Sequence, residues 1–140
     1  MKNLDRIIKT EGNFYQWVFR AKNGLEVKCQ IKRNGSLALC GYVELTSDNK
    51  LFGLGYDHIN SLIKEPHGGL TYSDLIGGCW WIGFDCSHSG DLSPAFPELN
   101  GIYRTKEFVI LESQNLAESI SLFSGIIQRL KKIDLIVGKS

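Results

Sequence analysis

Residues 25–33, LEVKCQIKR, alternate apolar and polar side chains: Val27, Cys29 and Ile31 fall on one side, Glu26, Lys28, Gln30 and Lys32 on the other. A period of two is the signature of a strand with one buried face. The flanking runs FYQWVFR (14–20) and SLALCGYVEL (36–45) are rich in aromatic and β-branched residues, and Tyr15, Trp17 and Phe19 share one face. Asn23-Gly24 and Asn34-Gly35 fall at the two junctions. Asn-Gly tolerates positive φ at both turn positions, so the pattern predicts three antiparallel strands joined by tight hairpins. One face of this sheet is charged and the other apolar, so another element must cover it.

Further along, residues 46–66 hold glycines and end at Pro66, which predicts a loop with one helical turn near 57–63. GLTYS (69–73) and CWWIGFD (79–85) read as two more strands, joined through Gly77-Gly78; paired glycines permit a tight turn. SGDLSPAFPELNG (89–101) reads as a surface loop. From Thr105 the apolar positions 108, 111, 116, 120 and 123 approach a 3.6-residue period, with Thr105 as N-cap and Glu107 in the first turn. Gly125 is expected to end or break this helix, leaving 126–137 as a second, short helix. The expectation is a single α+β domain over residues 1–140: a meander of about five antiparallel strands packed against one long C-terminal helix, plus a short terminal helix.

Composition narrows the function classes. With 43% hydrophobic and 22% charged residues in 140, the chain can bury a core, and disorder is excluded. Its net charge of +1 provides no strong field toward nucleic acid or membrane. No apolar run approaches the roughly 20 residues of a membrane span, and MKNLDRIIKTEGNF lacks a signal-peptide hydrophobic region. A cytoplasmic location follows as the expectation. The four cysteines, 29, 40, 79 and 86, form no C-x-x-C pair, so reduced, mostly buried thiols are expected rather than zinc or disulfides.

Charge distribution is more informative than net charge. No lysine or arginine lies between Lys64 and Arg104, while Glu65, Asp74, Asp85, Asp91 and Glu98 do. An acidic segment repels phosphates, which argues against direct nucleic-acid binding there. Arg104, at its edge, is the one obvious anion contact. Within the segment, GFDCSHSGD (83–91) concentrates Asp85, Cys86, His88 and Asp91 directly after a tryptophan pair. If 69–73 and 79–85 form a hairpin, His67 comes near this group. Two chemistries are compatible with such a set. His67, Asp85, His88 and Asp91 suit a divalent metal such as zinc or manganese, or a His–Asp pair acting as general base. The alternative is architectural, with Asp and Ser capping a turn and a His–Asp bond locking a loop. Cys86 is a poor nucleophile, because neighbouring acids raise a thiol pKa.

The pieces HGGLTYS (67–73), WWIGFDCSHSGD (80–91) and YRTKEFVILESQNLAESI (103–120) together resemble a family of small, largely uncharacterised phage and prophage proteins. That family's signature is similar: His-Gly-Gly-Leu-Thr-aromatic, then Trp-x-Gly-Phe-Asp-Cys-x-His-x-Gly-Asp, then Tyr-Arg and a helix with spaced acids. The resemblance covers roughly residues 41–120 and departs in the lead-in, where this chain has TSDNKLFG. Carried over position by position, it singles out His67, Gly68, Gly69, Thr71, Asp85, His88, Asp91, Tyr103 and Arg104 as ligand-binding, with Gly83, Phe84, Cys86 and Gly90 in the same motif. It implies an accessory protein in the host cell cytoplasm that acts by binding, in counter-defence. Such a protein would sequester a small nucleotide-like signal or block a host protein, with a homo-oligomer compatible. Tryptophan and tyrosine would stack on a ring, and Arg104 with the glycine-flanked amides would meet a phosphate. The rival expectation is a metal-dependent hydrolase built on the His/Asp cluster.

Overall fold

The alternation at 25–33 places Val27, Cys29 and Ile31 at 3% exposure or less, as a strand with one buried face requires. The computed structural model describes residues 2–137; Met1 and the last three positions of the expected 1–140 domain lie outside the described residues. Among the described residues there are three helices and five strands: α1 (Lys2–Glu11), β1 (Phe14–Arg20), β2 (Glu26–Arg33), β3 (Leu39–Leu45), α2 (Tyr56–Asn60), β4 (Tyr72–Ile76), β5 (Cys79–Asp85) and α3 (Lys106–Val137). The sheet is wholly antiparallel in the order β1-β2-β3-β5-β4. The protein is α+β as expected, but the meander stops at β3. Strand β5 inserts between β3 and β4, pairing Val43 with Ile82 on one side and Tyr72 with Gly83 on the other. Ile82 and Phe84 are almost fully buried, so β5 belongs in the middle of the sheet, while Leu75 and Ile76 of β4 are exposed at its edge.

The turns differ from the expected two-residue hairpins. Between β1 and β2 the positive φ falls on Gly24 (93°), and Ala21 and Leu25 close the loop. Between β2 and β3 it falls on Leu37 (65°), not on Asn34 or Gly35. Asn34 organises that turn instead: its Oδ1 accepts bonds from the Ser36 and Ala38 amides and the Ser36 hydroxyl. This delays β3 to Leu39, rather than residue 36. Gly77 and Gly78 do form a tight two-residue turn, with φ of 58° and 80°. Upstream, positive φ at Gly68 and Gly69 keeps the chain out of the β region, so β4 begins at Tyr72 rather than 69.

One face of the sheet is covered by α3. Thr105 caps it, its hydroxyl accepting from the Phe108 amide. Val109, Ser113, Leu116, Ala117 and Ile120 are buried, Phe108 and Phe123 pack against the core, and Leu111 points to solvent, contrary to the expected face. Each fully buried Leu or Ile contributes roughly 1.5–3 kcal/mol. The approach is close where Gly41 faces the helix: a Cβ there would lie 2.5 Å from Ser113 Oγ and 2.6 Å from the Phe84 ring. Gly125 does not break α3, which runs on for 32 residues. A helical glycine costs only about 1 kcal/mol, and elongating an existing helix is far easier than nucleating one.

Helix α1 had no counterpart in the sequence pattern. Its anchor is Glu11, whose carboxylate accepts from the Tyr103 hydroxyl and from the Lys106 amide at the start of α3, and lies 3.5 Å from Arg33 Nη2. Arg33 is itself buried, donating to the carbonyls of Gly12 and Leu37 and to Tyr103 Oη.

Candidate functional site

The strand β5 leaves the core at Asp85 and turns at once. The Cys86 amide still bonds the Leu39 carbonyl, and the Ser87 amide donates to Asp85 Oδ1. The Asp91 amide closes the turn on the His88 carbonyl. Residues 90–92 then run beside 101–102, bonded through Ile102 N to Gly90 O and Leu92 N to Ile102 O. Gly101 allows that contact: a Cβ would stand 2.4 Å from the Asp91 carbonyl carbon. The result brings Arg104 beside Asp91.

Asp91 is the hub. Its side chain is 1% exposed, yet its carboxylate is fully partnered. His67 Nε2 lies 2.9 Å from both oxygens, Arg104 Nε 2.8 Å from Oδ1, and the His88 amide 3.1 Å from Oδ2. Burial alone would raise the carboxyl pKa. The bonds from Arg104, His67 and the His88 amide outweigh it, and the net shift is downward from 3.8. Because an ionised carboxylate only accepts, His67 Nε2 carries the proton. The remaining contacts fix the rings. The His67 amide donates to Glu112 of α3, and the His67 ring meets Phe108 edge-on at 5.2 Å, while Arg104 lies over the same phenyl ring at 5.1 Å.

His88 stands differently. Its Nδ1 is 3.3 Å from Asp85 Oδ1 and 3.8 Å from Asp91 Oδ2, but it is buried without a hydrogen bond. Gly68 packs under its ring, where a Cβ would come within 2.5 Å. Asp85 also accepts from the Thr71 hydroxyl at 2.9 Å. Beside this pair, an open groove of about 510 Å³ is lined by Asn34, Ser87, Thr71, Asp85 and His88 with Tyr42 and Tyr72. Among the described lining residues there is no lysine or arginine.

The structure therefore brings His67, Asp91, Arg104 and the His88 backbone into one network, and Thr71, Asp85 and the His88 ring into an adjoining one. Gly68 supports the second, whereas Gly69 lies against Glu65 and Asn60. Tyr103 is elsewhere, in the Arg33–Glu11 network, where burial and then the Glu11 bond push its pKa up to about 12. Arg104, expected as an anion contact, gives its Nε to Asp91. The expected four-residue metal set does not close: ligand atoms of His67, His88 and Asp91 lie within 4.8 Å of one another, and Asp85 is not among them. Cys86 is buried, and that burial, with Asp91 adding to it, drives its thiol pKa upward, as expected of a structural cysteine. All four cysteines are free thiols. Asn34, Ser87 and Tyr42 were missed as groove residues; Asn34 comes from a turn remote in sequence, and no local pattern marks it.

Among the described residues no helix is long and apolar enough to cross a membrane. Fold and site define a small α+β protein with a histidine–carboxylate cluster at the end of a central strand. Compared with known proteins, the chain matches no family model, no curated sequence and no solved structure.

Proposed function

We propose that this chain is a phage-type accessory protein that acts in the host cytoplasm by binding a small, weakly charged ligand with a planar ring. The observation that carries this reading is the His88–Asp85 pair at the edge of the groove: His88 Nδ1 is buried and makes no aligned hydrogen bond, although Asp85 Oδ1 lies 3.3 Å away. Buried polar atoms are nearly always satisfied, so a loosely aligned His–Asp pair beside a groove leaves room for a ligand to complete its bonding. Asp85 and the Thr71 and Ser87 hydroxyl oxygens suit a ligand that donates N–H or O–H groups, and the edge-to-face pair of Tyr42 and Tyr72 forms an aromatic wall. A nucleobase or nucleoside-like signal has this chemistry. A polyphosphate fits less well: Asp85 lines the groove, the neighbouring Lys32 sits over the Tyr42 ring at 5.4 Å, and Arg104 Nε is given to Asp91. The buried Asp91 network is the frame that holds the His88 turn. Sequestration of such a signal is compatible with the counter-defence role implied by the phage-type signature.

The test is native mass spectrometry and calorimetry of purified protein against nucleosides and cyclic nucleotides, with His88→Ala and Asp85→Asn beside it. The expected result is a one-to-one complex lost in both variants while their melting stays near native. A folded protein that binds no member of the panel at millimolar concentration refutes the reading.

A metal-dependent hydrolase is the second reading, favoured by the proximity of the His67, His88 and Asp91 ligand atoms. It requires His67 Nε2 to lose its proton and Arg104 to leave an oxygen that it holds at 2.8 Å. Stoichiometric zinc or manganese in the purified protein would favour it over sequestration.

A further inference from the structure

Helix α3 has two unlike halves. The first half buries Val109, Leu116, Ala117 and Ile120, whereas from 128 to 137 every residue is exposed. Leu130, Ile133, Leu135 and Ile136 in that second half are 51–73% exposed. Exposed apolar side chains at this density mark an interaction surface, and Ile136 closes the row that follows.

Along the flank of α3 turned away from the core, a row runs Leu111, Asn115, Glu118, Leu122, Gly125, Arg129, Lys132, Ile136, each exposed or half-buried. Its steps alternate four and three, the heptad spacing of a helix seam. The row is self-complementary when laid against its own reverse. About the peptide between Phe123 and Ser124, Leu111 falls opposite Ile136, Asn115 opposite Lys132, Glu118 opposite Arg129, and Leu122 opposite Gly125. Apolar ends meet apolar ends, an acid meets a base twice over, and a large side chain meets the residue with no side chain; Glu118 Oε1 accepts from the Lys22 amide at 2.9 Å, which leaves Oε2 for the base. A Cβ on Gly125 would touch nothing within 4 Å, so the space above it is open.

We propose that two copies of the chain associate through α3, antiparallel about a two-fold axis beside this midpoint. The exposed second half of one helix then lies along the groove of about 670 Å³ that borders Leu111, Glu118 and Leu122 of the other, with Phe19 on its far wall. The seam extends about 38 Å along each helix. A specific interface buries roughly 1,200 Å² or more, so the groove is covered together with the seam. A two-fold interface of this kind is isologous, so every contact occurs twice.

Sedimentation of the full chain tests the proposal. At about 100 μM the expected species has twice the 15.7 kDa chain mass. Glu118→Arg and Arg129→Glu should each weaken association about tenfold or more, and the double variant should restore it, because it reverses both members of each pair. Gly125→Trp should give a monomer with unchanged far-UV dichroism, since its side chain enters open space in the single chain. A monomeric wild type at that concentration overturns the proposal. So does a dimer that survives Gly125→Trp, or a double charge variant weaker than either single one.

Discussion

Replacing Asp91 by Asn keeps the shape of the hub and removes its charge. Three donors converge on this carboxylate, at 2.8 Å from Arg104, 2.9 Å from His67 and 3.1 Å from the His88 amide. The amide group of Asn accepts through one oxygen only, and its NH2 faces at least one of those donors. Breaking one side of a buried ion pair costs about 3–5 kcal/mol. Arg104 and His67 keep 24% and 20% side-chain exposure, so water can reach part of the orphaned donor surface. A loss of about 2–3 kcal/mol at pH 7 is therefore expected, or roughly 7–10 °C in melting temperature for a chain of this size. Scanning calorimetry of wild type and Asp91→Asn across pH measures it. The folded pKa of Asp91 lies below its ordinary 3.8, so its contribution is complete above that value and is lost as pH falls through the folded pKa. The gap between the two proteins should stay constant from neutral pH down to mild acid and close below it. Melting curves within about 2 °C of each other at pH 7 would refute the argument, and a more stable variant would mean that Asp91 is a strained functional group, not a frame.

Other expectations follow from single contacts. Gly41→Ala forces a methyl into Ser113 and Phe84, which should cost about 3 kcal/mol and lower the urea midpoint at unchanged slope; a native midpoint would show that α3 can lift freely. Gly68→Ala combines a positive φ with a Cβ 2.5 Å from the His88 ring, and should shift the His88 side-chain NMR signals and weaken ligand binding more than it weakens the fold. Unmoved His88 signals would contradict the packing described. Tyr103→Phe removes the hydroxyl shared by Glu11 and Arg33 and should cost about 1–1.5 kcal/mol, with faster amide exchange confined to the end of α1 and the start of α3; unchanged protection there would count against it.

What could be read from the chain depended on how local its cause was. The β2 alternation, the Gly77-Gly78 turn and the Thr105 cap are dictated by neighbouring residues, and each appears in the structure. The insertion of β5 between β3 and β4 is not local. It follows from the burial demanded by Ile82 and Phe84, which no window of sequence expresses. Helix α1 was illegible because KNLDRIIKTE is held at its end by Glu11, through partners at 33, 103 and 106. Gly125 misled because a propensity argument ignored the helix already formed before it. At the site, the meeting of His67 with the GFDCSHSGD turn was legible from hairpin pairing. The partner of Arg104 was not, because it depends on residues 101–102 running beside 90–92, a contact made possible by one glycine.

The Asp91 hub also bears on the order in which the molecule assembles. Its members at 67, 88, 91 and 104 all meet only once the chain beyond β5 has returned alongside residues 90–92. The hairpins of β1, β2 and β3 need no such closure. Contacts completed late are absent from the transition state, so losing them leaves the refolding rate nearly unchanged and raises the unfolding rate by almost the whole energetic difference. The carboxylate is in that sense a timer. Asp91→Asn should then unfold faster and refold at nearly the native rate, and stopped-flow traces showing slowed refolding would refute this order of assembly.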